Sequence, residues 1–171
     1  MTETIGPREA PHGVAVEHVP FDHREAAALR QAAVVELGER YGNDEDANEH
    51  IDPATIAATV LIRVAGVAAA GGSVRDVSGT DDGVGGVHPP ATGEVKRVFV
   101  VPAFRRRGLS TRIMEQLEHG ARRAGLARLV LETGTEQPEA IALYEKLGYA
   151  RIASYGKWAG HDDQLCYGKT L

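Results

Sequence analysis

Six residues carry the plainest chemical signal in this chain. Arg105-Arg106-Arg107-Gly108-Leu109-Ser110 follow an apolar run, Val98-Phe99-Val100-Val101, and a turn containing Pro102. The hexad opens a segment with helical periodicity. Free backbone N–H groups at a helix start, flanked by cationic side chains, suit an anion such as a pyrophosphate. A triple arginine alone also reads as a solvated basic corner. Two other phosphate sites are excluded. The hexad lacks the Gly-Lys-Ser/Thr end of a nucleotide P-loop and supplies only Gly108 of a three-glycine dinucleotide fingerprint.

The elements that must position this turn can be read from periodicity. Val14–Val19 alternates as a strand. Asp22 and Glu25 have the spacing of a capping box, with an Ala/Leu-rich helix running to about Glu39. Tyr41–Asp52 is polar and acidic, and Asp52-Pro53 suits the cap and first position of a short helix. Thr59–Ala65 and Val67–Arg75 form a predicted hairpin about Gly66. Val77–Thr92, rich in Gly and holding Pro89 and Pro90, is an irregular loop or flap. Glu94–Val101 is the next strand. Leu109, Ile113, Leu117, Ala121 and Ala124 share one helix face, closed by Gly125. Arg128–Thr133 reads as a central strand. Glu136–Leu147 is helical, with Pro138 in its first turn and Gly148 past its end. Tyr149–Tyr155 and Leu165–Leu171 are the last strands. The order implies a mixed α/β layer structure.

Composition bounds the function. A chain of 171 residues, 43% hydrophobic and 25% charged, has the size and make-up of one globular domain. Residues 1–13 read as a flexible tail and 14–171 as the domain. A net charge of −5 argues against a nucleic-acid partner. No apolar run reaches the length of a membrane span, so no membrane partner is expected. The polar start lacks a secretory pattern, and a cytoplasmic location is the expected default. Cys166 is the single cysteine and can form no intrachain disulfide. His161-Asp162-Asp163 has no spaced partner ligands, so no metal is expected.

The hexad gains meaning with a second motif about 30 residues downstream, Ala140-Ile141-Ala142-Leu143-Tyr144-Glu145-Lys146-Leu147-Gly148-Tyr149. Arg105-x-x-Gly108-x-Ser110 resembles the Arg/Gln-x-x-Gly-x-Gly/Ala pattern of the GNAT superfamily of acetyltransferases, with Ser110 departing from the usual Gly or Ala. The later segment resembles that family's Ala-x-x-x-Tyr-x-x-x-Gly-Phe/Tyr helix. The match is strong from Gly93 to about Ile152, the expected cofactor-binding core at 93–152. It implies a mixed, mostly antiparallel sheet of about seven strands flanked by about four helices.

The resemblance also implies roles. Val98, Phe99 and Val100 would pair with the pantetheine arm of acetyl-CoA, a backbone N–H near Phe99 or Val100 polarising the thioester. Arg105, Arg106, Arg107, Gly108, Leu109 and Ser110 would wrap the pyrophosphate, the arginines also reaching toward the 3′-phosphate. Gln137 falls where relatives carry an Asn that contacts the cofactor arm. Tyr144 resembles the tyrosine that serves the thiolate leaving group; on its own it would read as a core-face tyrosine. Glu94 resembles the strand-start glutamate that acts as base, and by alternation it would share a face with Val98 and Val100. Glu132, at the end of the neighbouring strand, is its rival. Each carboxylate also reads as a surface ion pair, Glu94 with Lys96 or Arg97.

The implied function is acetyl transfer from acetyl-CoA to a primary amine of a small molecule, by direct attack in a ternary complex. Two alternatives stand beside it: a non-catalytic acyl-CoA-binding regulatory module, and a protein or peptide N-acetyltransferase. The first would need neither Tyr144 nor Glu94. Cys166 is read as inert rather than as an acyl carrier. On the acceptor side, the acidic run Asp44-Glu45-Asp46 with Glu49 and Asp52 would steer a cation or merely be solvated. Tyr155 and Trp158 would form an aromatic wall or pack a hairpin. Family members often form homodimers through the final strands.

Overall fold

The computed structural model describes residues 13–43 and 49–171. The expected tail up to residue 12, and Asp44, Glu45 and Asp46, lie outside the described residues. Seven strands form one sheet: β1 (Val14–His18), β2 (Ile56–Val64), β3 (Val67–Asp76), β4 (Thr92–Val100), β5 (Arg128–Gly134), β6 (Ala150–Arg151) and β7 (Gln164–Thr170), in the order β1-β2-β3-β4-β5-β7-β6. Only β4 and β5 run parallel. Among the described residues three α-helices cover it, α1 (Arg24–Tyr41), α2 (Leu109–Arg123) and α3 (Pro138–Lys146). The count falls below the four expected because the Asp52-Pro53 segment makes a single 3₁₀ turn, Pro53–Thr55. Its cap forms as read, with Ala54 N–H donating to Asp52 Oδ1 at 2.9 Å. No helix among the described residues is long and apolar enough to cross a membrane.

Local chemistry explains most of these elements. The β2–β3 hairpin turns through Ala65 and Gly66, both at positive φ (49° and 81°), the geometry that matches strand twist. Along α2, Leu109, Ile113, Leu117 and Ala121 are buried in the core that fills the space beneath β2–β5. Gly72 lets the helix settle there. A Cβ at Gly72 would lie only 3.0–3.2 Å from Ile113, Leu117 and Val98. Ala124 is exposed as the helix cap and does not join that face.

Other expectations are corrected. The Asp22/Glu25 capping box does not form. His23 is the N-cap of α1, without a side-chain cap bond, and the Glu25 carboxylate is captured by Arg63 on β2. Strand β6 holds two residues rather than running to Tyr155, because the chain turns inward and Tyr155 packs on Val130 and Cys166.

One irregularity shapes the site. Between β3 and β4 the register moves from Gly71 opposite Phe99 to Ser73 opposite Lys96, so Arg97 and Val98 together oppose Gly72. Arg97 takes φ 58°, the mark of a bulge. The bulge reverses alternation. Val95, Val98 and Val100 all pack into the α2 core, whereas Phe99 joins Leu29 and Ala33 of α1 on the other face. Glu94, adjacent to Val95, therefore lies on the face opposite Val98 and Val100, and the expected shared face is wrong.

Candidate active site

The parallel pairing of β4 with β5 stops at Glu94 opposite Val130. Beyond that point the strands part, and the β4 edge from Val95 to Val100 faces a wedge. Two adjoining cavities fill it, of about 510 and 360 Å³, and Val98, Phe99, Gln137 and Tyr144 line both. An exposed edge with backbone donors and acceptors is what an amide-bearing ligand can pair with.

The larger cavity ends at the start of α2. Arg106 (φ 62°) and Gly108 (φ 72°) are both left-handed, and Gly108 is the N-cap, with no side-chain cap bond among the described residues. The first-turn amides therefore carry no side-chain cap, and the curled backbone has a geometry that suits an anion. Val100, Arg105, Arg106, Gly108, Leu109 and Ser110 all line this cavity. Arg107 does not; its guanidinium lies over the Phe104 ring at 5.4 Å. Nor does Arg105 reach freely outward. It donates to the Val100 carbonyl at 3.0 Å and pairs with Glu36 at 2.5 Å, bracing the turn against α1.

Tyr144 stands where the cavities meet. It is 8% exposed, with its ring against those of Tyr149 and Tyr167 at 6.0 and 6.4 Å. Burial pushes its phenol up to about 12, so at neutral pH it is a proton donor. Gln137 sits at the N-cap of α3 and donates to the Tyr41 hydroxyl at 3.5 Å.

The two carboxylates part company. Glu94 is 4% exposed and lies outside both cavity walls. Arg75 holds it at 2.6 Å, with Lys96 at 3.7 Å. Of the two partners expected, Arg97 pairs instead with Glu49. Glu132 lines the smaller cavity, and its Oε1 is buried without a hydrogen bond among the described residues. Burial, followed by the nearby charge of Glu94, pushes the Glu132 carboxyl up to about 7. A group so poised can accept a proton at neutral pH.

That shift has a stability consequence. Between the ordinary carboxylate range and about pH 7 the folded chain keeps a proton on Glu132 that the unfolded chain has released. Stability is therefore lost as pH rises through this window. Glu132→Gln, a mimic of the protonated form, should match the parent at pH 5 and exceed it at pH 8. We expect about 1–2 kcal/mol, discounted for cleft water. Denaturant unfolding at the two pH values measures it, and equal differences at both would contradict it.

Glu49 is the residue sequence reading missed most clearly. It accepts from Lys96 at 2.9 Å, Arg97 at 3.2 Å and Arg75 at 3.3 Å, so it locks the β3–β4 floor rather than steering a cation. No local pattern signals contacts that span 26 to 48 residues. Tyr41, Trp158, His161 and Asp163 also line the smaller cavity. Trp158 and His161 meet edge to face at 5.4 Å. Tyr155 is instead buried against His88. Cys166 is buried and its thiol is pushed up by burial.

Comparison with known proteins adds a family. The model of the Acetyltransferase (GNAT) family matches residues 25–149. An IAA acetyltransferase of Azospirillum brasilense is 43% identical over 79 residues, 46% of this chain and 52% of the relative. The chain spans about half the length of the curated relatives it matches. Among solved structures, a Klebsiella pneumoniae protein assigned as an acyl-CoA N-acyltransferase superposes with a TM-score of 0.72 at 25% identity, over 92% of this chain and 97% of its own. A GNAT family acetyltransferase from Elizabethkingia anophelis with acetyl-CoA bound has the same fold, with a TM-score of 0.61 at 14% identity over 93% and 99% of the two chains.

Proposed function

Because this chain belongs to the GNAT family of acetyltransferases, we propose that it moves an acetyl group from acetyl-CoA to a primary amine of a small molecule, by direct attack in a ternary complex. The observation that carries this reading is the continuous cleft joining the left-handed turn at Gly108, without a side-chain cap among the described residues, to a buried phenol and to a carboxylate whose Oε1 is buried without a hydrogen bond among the described residues. The turn suits the pyrophosphate of acetyl-CoA, and the open β4 edge suits its amide-rich arm. The smaller cavity, about 360 Å³, favours a small acceptor over a protein chain. The acetyl group acted on by the Azospirillum relative is consistent with the same chemistry.

In this reading Glu132 takes a proton from the bound ammonium, and the neutral amine so formed attacks the thioester carbonyl. Tyr144 supplies a proton to the departing thiolate. Backbone N–H groups of Val98–Val100 stabilise negative charge on the thioester oxygen. Glu94, tied to Arg75, is a positioning residue for the floor of the site.

Incubating the pure chain with acetyl-CoA and a pool of amines, amino acids and short peptides tests the proposal. An amine gaining the mass of one acetyl group is the expected result. Intact, bound acetyl-CoA with every pool member unmodified would overturn it and favour the regulatory module. Binding of acetyl-CoA can be checked without an acceptor. Gly108→Val, which disfavours the left-handed backbone that shapes the turn, should weaken it at least about tenfold. Arg107→Ala should change it less than about threefold, as a screened surface charge does. Calorimetry decides, and the reverse order would sink the main-chain account of the turn.

A further inference from the structure

The Gly-rich loop of residues 77–91 lines neither cavity, yet it carries its own hydrogen-bond network. Asp82 Oδ1 accepts from the N–H groups of Val84 and Gly86, both at 2.9 Å, and Asp81 bridges to Val87. This tight turn is docked on the loop between β6 and β7. Gly156 N–H donates to the Asp82 carbonyl at 2.7 Å. His88 meets the Tyr155 ring edge to face at 5.2 Å.

The contact is backbone on backbone, in two tiers. A Cβ at Gly83 would come within 2.5 Å of the Gly156 carbonyl oxygen. A Cβ at Gly156 would overlap Glu132 Oε1. Both glycines are left-handed, at φ 75° and 76°. Thus Gly83 seats on Gly156, and Gly156 seats on the same carboxylate oxygen that is buried without a hydrogen bond among the described residues.

We infer that Gly83 and Gly156 are positioning residues for Glu132: the docked loop presses the bare Gly156 backbone onto its carboxylate, excluding water from Oε1 and leaving the group aimed into the cleft. The inference rests on the reading of Glu132 as the proton acceptor. Its physical content is desolvation by main chain, which no side chain could supply at that distance. The charged and titratable groups around Glu132 are Glu94 and Lys96 on β4, Tyr155 and Lys157 on the loop between β6 and β7, Cys166 on β7, and Glu49, with His161 and Asp163 on the same cavity wall. None is itself replaced in the glycine variants, and Gly83 adjoins none of them in sequence, so a shift of Glu132 titration in Gly83→Ala reports the backbone contact.

The carboxyl-carbon NMR titration of Glu132 in the whole chain tests this, without any acceptor. The signal is assigned by its loss in Glu132→Gln. Gly156→Ala should lower the midpoint by about one pH unit and Gly83→Ala by at least about half a unit, as water reaches the displaced carboxylate. Gly79→Ala is the control. Gly79 lies in the same loop, with the same left-handed strain at φ 70°, but a Cβ there meets open space. It should leave the midpoint within about 0.2 units. Equal shifts in Gly83→Ala and Gly79→Ala, or a parent midpoint in the ordinary carboxylate range, would overturn the inference. Should Gly156→Ala fail to fold, the Gly83 and Gly79 pair still decides. Turnover of Glu132→Gln speaks only to the base role. Undiminished turnover would remove that role while the titration results stood.

Discussion

Tyr144→Phe should lower kcat by about a hundredfold or more, with acetyl-CoA affinity changed less than about threefold. Phe fills the same buried volume between Tyr149 and Tyr167, so the core and cavity walls persist. Only the hydroxyl of a side chain that lines both cavities is lost. A thiolate is a fair leaving group, and a positioned acid adds a proton at a fixed place that solvent does not match. Burial holds the phenol proton to about pH 12, so Tyr144 stays in its acidic form throughout the neutral range. The mutant's pH profile should therefore keep the parent's shape at a lower level. Turnover within about threefold of the parent would reduce Tyr144 to a packing residue.

Glu132→Gln should cost about a hundredfold in kcat/KM near pH 8 and flatten the acidic limb of the profile. The base works when deprotonated, so the parent rate should rise with pH through about 7, where burial has placed the carboxyl. Gln cannot take the proton, and the limb should vanish with the rate. Glu94→Gln makes the contrast. It leaves the Arg75 guanidinium half-buried and under-paired, so it should lower stability while keeping the limb. A limb that survives in Glu132→Gln and vanishes in Glu94→Gln would exchange the two assignments.

Some of this was legible before folding. The order of elements followed from periodicity, because burial imposes a period near two on strands and 3.6 on helices whatever the tertiary partners. The turn at Gly108 was legible because only certain residues accept its backbone. The pair of motifs holding Arg105, Gly108, Tyr144 and Gly148 is local in sequence, and local geometry is enough to make each half.

Other features depended on elements far apart in the chain. A single extra residue at Arg97 reversed the face of Glu94 relative to Val98, and no alternation pattern announces a bulge. The capping box at Asp22 and Glu25 lost to a guanidinium that arrives from β2. Glu49, within a run readable as solvated surface, became the hub for three cations.

The sequence by itself determined which elements form and the left-handed turn at Gly108, since both depend on backbone preferences within a few residues. Tertiary structure alone decided which carboxylate is free. Glu94 and Glu132 are the same side chain on adjacent strands; one meets Arg75, and the other meets the bare backbone of Gly156. Proton affinity is set by what surrounds a charge, and those surroundings come from chain segments brought together only by folding.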